Sequence, residues 1–417
     1  MRIQPIWFQE NLARFNSYLD DLYLSSSNSL REYLNSIRNG KIPRPFSIEI
    51  HPHLPKTPRC INDCVFCTGQ EYGHDAFNYG ITEERFKELV YNITQSQDGK
   101  RVQRVANITF SGNCTEPLLY PNLHQYIGEL LNTVSYFILY TNMILGTQAL
   151  FKTLADSKYT GLRVLRTSLN AATPSDYLQF HRPNMRAIKT ELERLGIPLE
   201  PGEHIFNRIL NNIENIVNLR NKNNARSLCL YINYLLYPGN DREDEIKRLI
   251  DWADGIGLDY IKFRIPQIPQ LCQNSINHLE KGRVHELERV LQEKINTTNF
   301  TYKEIPLNDP LDEAKQKPFS LCWTRFSHAV IGCDGGLYPC TSVASPSCDS
   351  FAEGNINQSS FWEIWNNSKR LLNFKHFNPK DECDKKLFGT DSPAHVCTLV
   401  EFAFNQYFFS VDKQQSW

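Results

Sequence analysis

The chain has 417 residues, 41% of them hydrophobic and 22% charged, with a formal net charge of −1. That length allows one large domain with smaller ones attached, and the charge balance excludes a global electrostatic pull toward nucleic acid or anionic membrane. The first residues, MRIQPIWFQENLARF, interrupt any apolar run with polar and acidic side chains, and no later window reaches membrane-spanning length; a cytoplasmic address is expected, with no membrane or nucleic-acid partner.

Residues 1–45 read as two short amphipathic helices, broken by the cluster SSSNS and closed by NGKIPRP. From Phe46 short apolar strands alternate with longer helical stretches, the pattern of βα units around a parallel sheet. Six strands are expected: FSIEI (46–50), ANITF (106–110), YFILY (136–140), RVLRTSL (163–169), SLCLYINYLL (227–236) and DYIKFR (259–264). Helices are expected at ITEERFKELVYNITQ, HIFNRILNNIENIVNLR and DREDEIKRLIDWADGIG, the last with an acidic start and a glycine stop.

Successive strand side chains point to opposite faces of a sheet. Here one face is polar: Ser227, Cys229, Tyr231 and Asn233 on the fifth strand, Arg166, Ser168 and Asn170 on the fourth, and Lys262 with Arg264 on the sixth. A closed eight-stranded barrel fills its interior with branched aliphatics. A polar interior therefore predicts a partial (β/α)6 TIM-like barrel over 46–270 whose lumen holds a polar ligand, with an open sheet having one wet face as the alternative. A charged helix within 271–315 links it to a small C-terminal α+β domain (316–417), where RFSHAVIGCDGGLYPC reads as a hairpin turning at DGG.

Twelve cysteines in a reducing compartment are better explained by metal ligation or catalysis than by disulfides. Cys60, Cys64 and Cys67, in CINDCVFC, follow the first strand, at the end of the sheet where barrel active sites are built. A structural zinc wants four protein ligands, whereas three thiolates on a [4Fe-4S] cubane leave one iron open. The spacing, with Phe66 in the aromatic position, resembles the radical S-adenosylmethionine (SAM) superfamily. The resemblance implies that the open iron binds SAM and that reductive cleavage yields a 5'-deoxyadenosyl radical, which abstracts hydrogen from substrate. It further implies SAM contacts from Gly112 and Glu116 in FSGNCTEPLL and from Ser168 and Asn170 in TSLNA, with YTNMIL (140–145) as a further contacting segment.

The C-terminal stretch, with Cys322, Cys340, GNINQSSFWEIWNNS, Cys383 and Cys397, resembles the SPASM or twitch extension of such enzymes. This implies one auxiliary [4Fe-4S] cluster on Cys322, Cys340, Cys383 and Cys397, with Cys348 or Cys333 as substitute ligands and a structural zinc as the competing occupant. Cys229 and Cys114 are candidate hydrogen donors to a substrate radical, although a lone cysteine is more often a small buried hydrophobe. His51 and His53, with Glu49, and Lys262 with Arg264 are candidate substrate contacts. The expected function is radical modification of a ribosomal peptide or natural-product intermediate by oxidation, epimerisation or crosslinking. A small-molecule dehydrogenase or epimerase acting on a sugar or nucleoside, and a non-catalytic zinc or iron-sulfur protein, are the alternatives. The enzymatic reading implies a reducing partner such as flavodoxin or ferredoxin.

Overall fold

The computed structural model describes residues 29–67, 76–94, 105–265, 279–303, 305, 307, 319–379, 383, 404–405 and 407–408. Strands β1 (Ser47–Ile50), β4 (Asn107–Phe110), β5 (Tyr136–Thr141), β6 (Leu162–Ser168), β7 (Leu228–Leu235) and β8 (Tyr260–Arg264) lie side by side in chain order, each parallel to the next. These are the six strands read from the sequence. A two-stranded antiparallel ribbon, β2 (Thr57–Pro58) with β3 (Ala76–Phe77), flanks the cysteine loop. The expected first N-terminal helix lies outside the described residues; the second is Ser29–Arg38.

The connecting helices form where the sequence pattern places them. Glu83–Thr94 opens on Glu83 and Glu84, Ile205–Lys222 closes on Arg220 and Lys222, and both complement the helix dipole. Glu243–Ile256 begins with three acidic residues and stops at Gly257, whose φ of 81° is the left-handed cap conformation that glycine adopts without strain. Apolar faces of these helices cover one side of the sheet in a continuous core that includes Ile48, Ile108, Phe137, Leu165, Leu230 and Ile261.

The opposite side is the polar lumen. Along β5 and β8 buried and half-buried residues alternate strictly. The half-buried set includes Tyr140, which holds the Arg166 guanidinium 4.1 Å from its ring centre, with Tyr231 4.8 Å away on the other strand. Tyr231 in turn stacks on Tyr260 at 4.2 Å. Aromatic rings and a cation occupy the place that branched aliphatics fill in a closed barrel.

The C-terminal hairpin forms as expected, β9 (His328–Ile331) against β10 (Leu337–Tyr338), with Gly335 at a φ of 81° in the turn. Its placement is the addition to the sequence reading: β9 pairs in parallel with β1, so the hairpin extends the barrel sheet to eight strands in the order β10-β9-β1-β4-β5-β6-β7-β8. A second core joins the chain ends, packing Tyr33, Leu34, Ile37 and Phe46 against Trp323, Phe326, Phe374, Phe404 and Phe408. Among the described residues no helix is long and apolar enough to cross a membrane.

Candidate active site

The loop after β1 carries Cys60, Cys64 and Cys67 across the carboxyl edge of the sheet, and backbone hydrogen bonds zip it to the segment after β6. The amides of Asp63 and Val65 donate to the carbonyls of His181 and Phe180 at 3.0 and 2.9 Å, and the Asn184 amide returns to Ile61 at 2.9 Å. Phe66 stacks on Tyr237, ring centres 5.4 Å apart, and meets His181 edge-on at 5.2 Å. Arg59, fully buried, donates to Cys67 Sγ at 3.5 Å and to the Cys114 carbonyl at 3.1 Å. Nδ1 of His181 lies 3.2 Å from Cys64 Sγ while its Nε2 meets the Leu169 carbonyl at 2.6 Å.

Burial pushes the Cys60 thiol up to about 12, with Glu116 adding to the effect, and burial with the neighbouring Cys67 and Cys60 raises Cys64. Without metal these are thiols, and a cationic centre is what ionises them. Three soft donors spread around one loop suit a cubane, in which each thiolate ligates a different iron. The donor set therefore fits a [4Fe-4S] cluster held by Cys60, Cys64 and Cys67.

Beside this loop, the turn after β4 is shaped by close approach. A Cβ on Gly112 would lie 2.0 Å from the Thr115 carbonyl oxygen, so only glycine fits. The turn delivers Glu116, 4% exposed, which accepts hydrogen bonds from Thr141 Oγ1, the Asn142 amide and the Leu118 amide at 2.5, 2.9 and 3.1 Å. Burial raises its pKa despite these donors. Ser168 stands on the lumen face in register with Asn233. Asn170, at a φ of 45°, takes the Leu235 amide on its Oδ1 at 2.8 Å and the Asn240 side chain on its carbonyl at 3.0 Å, so it pins β6 to β7.

A separate pocket in the C-terminal region is lined by Cys322, Cys340 and Cys383, with Thr324, Arg325 and Asn405 as its polar lining. Asn405 Nδ2 lies 3.8 Å from Cys322 Sγ and donates to Thr324 Oγ1 at 3.0 Å, which fixes the surroundings of the Cys322 thiol. Three of the four expected auxiliary cysteines thus line one pocket; Cys397 lies outside the described residues. Residues 322–385 match the family described as SPASM, an iron-sulfur cluster-binding domain. This C-terminal segment is thus similar to a SPASM domain.

Solved structures extend the comparison. Streptococcus suis SuiB bound to precursor peptide SuiA aligns with a TM-score of 0.56 at 13% identity, covering 91% of this chain and 80% of that one. SuiB bound to S-adenosylmethionine aligns at 0.52 and 14%, with coverage of 91% and 80%. Histidine-tagged anSMEcpe with bound AdoMet aligns at 0.51 and 15%, with coverage of 89% and 94%. No curated protein matches the sequence. The SPASM domain and the shared fold bear out the resemblance to radical SAM enzymes that carry such domains.

The two cysteine sites are joined by polar contacts that the sequence reading did not anticipate. Thr341, next to Cys340, donates its hydroxyl to Glu49 of β1 at 2.7 Å, and its carbonyl accepts from Asn113 Nδ2 in the glycine turn. Glu49 also contacts His51 and Ser111, and these partners hold its pKa low against the cost of burial. Cys114 Sγ faces Cys333 Sγ at 3.9 Å, both buried. That contact places Cys333 beside the glycine turn, while Cys348 and Cys340 both pack against the small core of Val330, Tyr338, Val343 and Ala344. Cys229 faces the lumen but sits near the start of β7, about 13 Å along the strand from Asn233 at ~3.3 Å per residue. Arg59, His181 and Asn405 were not read from the sequence because each is a single residue outside any periodic pattern; only the adjacency of Arg59 to Cys60 offered a signal.

Proposed function

We propose that the chain is a radical SAM enzyme that modifies a peptide. The observation carrying this reading is the Cys60, Cys64 and Cys67 loop zipped to the carboxyl edge of the sheet beside the glycine-built Glu116 turn, above a polar lumen. A [4Fe-4S] cluster held by Cys60, Cys64 and Cys67 would supply one electron, drawn from a donor such as flavodoxin or ferredoxin, for cleavage of SAM to methionine and a 5'-deoxyadenosyl radical that would take a hydrogen atom from substrate.

The chain's own residues divide the remaining work. Glu116, gripped by three donors, would hold the SAM ammonium with a fixed carboxylate; Gly112 would let the backbone approach it; Ser168 and the remaining polar atoms of Asn170 would meet the ribose and carboxylate, and Phe66 would flank the loop side. In the lumen, Arg166 between Tyr140 and Tyr231 offers a cation to an anionic substrate group. Peptide is favoured because SuiB, which shares this fold, was solved with a precursor peptide.

Iron and sulfide content, together with anaerobic SAM cleavage under reductant, tests the reading on wild type and on a Cys60→Ala, Cys64→Ala, Cys67→Ala variant. About eight irons per chain falling to about four, with 5'-deoxyadenosine formation abolished, is the expected result, since each cubane holds four irons. Zinc in place of iron, or SAM cleavage surviving in the variant, would sink it.

A further inference from the structure

We propose that Arg325 donates hydrogen bonds to the auxiliary cluster of the SPASM domain and raises its reduction potential. Arg325 stands on the short helix Thr324–Ser327, three residues after Cys322, and lines the cavity where Cys322, Cys340 and Cys383 meet. It is 3% exposed, so its guanidinium is committed to the interior. Its Nη2 lies 3.5 Å from Glu353 Oε1, whereas Nε and Nη1 meet no hydrogen-bond acceptor among the described residues.

Buried donors left unpaired carry the full cost of their desolvation, so the two call for a partner. Glu353 does not serve, because Arg370 also pairs with it, leaving two guanidinium groups for one carboxylate and a buried surplus of positive charge. The rest of the cavity wall is largely apolar, with Phe351 and Phe377 on it and the Phe377 ring centre 5.4 Å from Arg325 Cζ. A thiolate-ligated cubane placed there would be anionic, would gain a further negative charge on reduction, and carries sulfur acceptors. Hydrogen bonds to the sulfurs and net charge are the terms by which a protein sets such a potential. Arg325 supplies both, and both stabilise the reduced state more than the oxidised one.

The inference rests on the SPASM cluster and not on SAM chemistry, so the test isolates that cluster. The full chain carrying Cys60→Ala, Cys64→Ala and Cys67→Ala is reconstituted anaerobically with iron and sulfide and titrated by electron paramagnetic resonance, with and without Arg325→Met or Arg325→Lys. Arg325→Met is expected to lower the reduced-to-oxidised ratio at fixed potential at least tenfold, a shift of about 59 mV for one electron. Arg325→Lys, which keeps the charge and loses the planar fork, is expected to fall between. Should Arg325→Met fail to load, the Lys variant decides the matter by resonance Raman: the shift of Fe–S stretching bands on transfer to D2O is expected to shrink relative to Arg325. Unchanged potentials and unchanged isotope shifts in loaded variants overturn the proposal, because a purely structural arginine would change stability alone. A triple-alanine chain that binds no iron overturns it together with the auxiliary cluster, leaving the SAM site to be judged by its own experiment.

Discussion

Gly112 shows how one residue without a side chain places a charged one. With the Thr115 carbonyl 2.0 Å from where a Cβ would sit, Gly112→Ala has to open the turn that carries Glu116. We expect a loss of about 1–3 kcal/mol in chemical denaturation, the usual cost of overpacking, and weakened SAM binding by equilibrium dialysis. A second residue-scale prediction concerns His328, whose pKa burial lowers to about 4 while Glu49 pulls it the other way. Because the folded value lies below the ordinary 6.5, the unfolded chain takes up the proton more readily between those values. Stability therefore falls as pH drops from 6.5 toward 4, by up to about 2 kcal/mol at pH 5 relative to pH 7. Denaturation midpoints of His328→Asn should be flatter than wild type over this interval; equal slopes would remove His328 from the account.

At the scale of elements, the helix Phe361–Trp365 fastens the C-terminal region to the barrel. A capping box between Ser360 and Glu363 starts it. Trp362 Nε1 donates to the Asn92 carbonyl at the end of Glu83–Thr94, and Trp365 Nε1 to the Pro43 carbonyl at 2.8 Å. The Trp365 ring also lies 3.8 Å from Arg370 Cζ. Trp365→Phe keeps most of the ring and loses the N–H, so it should cost about 1–3 kcal/mol, read as a lower thermal midpoint. Thr341 makes the corresponding link between the glycine turn and the auxiliary site. Thr341→Val removes its hydroxyl from Glu49 and should slow SAM cleavage while leaving the iron content at the wild-type value; loss of iron would mean that Thr341 serves cluster assembly instead.

Over the whole molecule, the parallel pairing of β9 with β1 makes the SPASM region a structural edge of the barrel. Removing residues 319–417 would bare the β1 edge and the apolar faces of Tyr33, Leu34 and Phe46, and exposed edges and apolar patches of this kind associate. The truncated chain is expected to aggregate in sedimentation, and a well-behaved monomer would show that the barrel stands alone. Much of this architecture was legible beforehand. The period-2 alternation of strands such as YFILY, the glycine stop at Gly257, the DGG turn and the C-x3-C-x2-C spacing are local properties, written in residues close together in the chain. The shared pocket of Cys322 and Cys383, the contact of Cys114 with Cys333, the pinning role of Asn170 and the seat of Arg325 depend on residues tens to hundreds of positions apart. The sequence by itself determined the strands, the polar lumen and the first cysteine loop, because side-chain period and turn chemistry act over a few residues. Only the tertiary structure decided which cysteines share a cavity and which buried donors are left to serve it, because those follow from how distant segments pack.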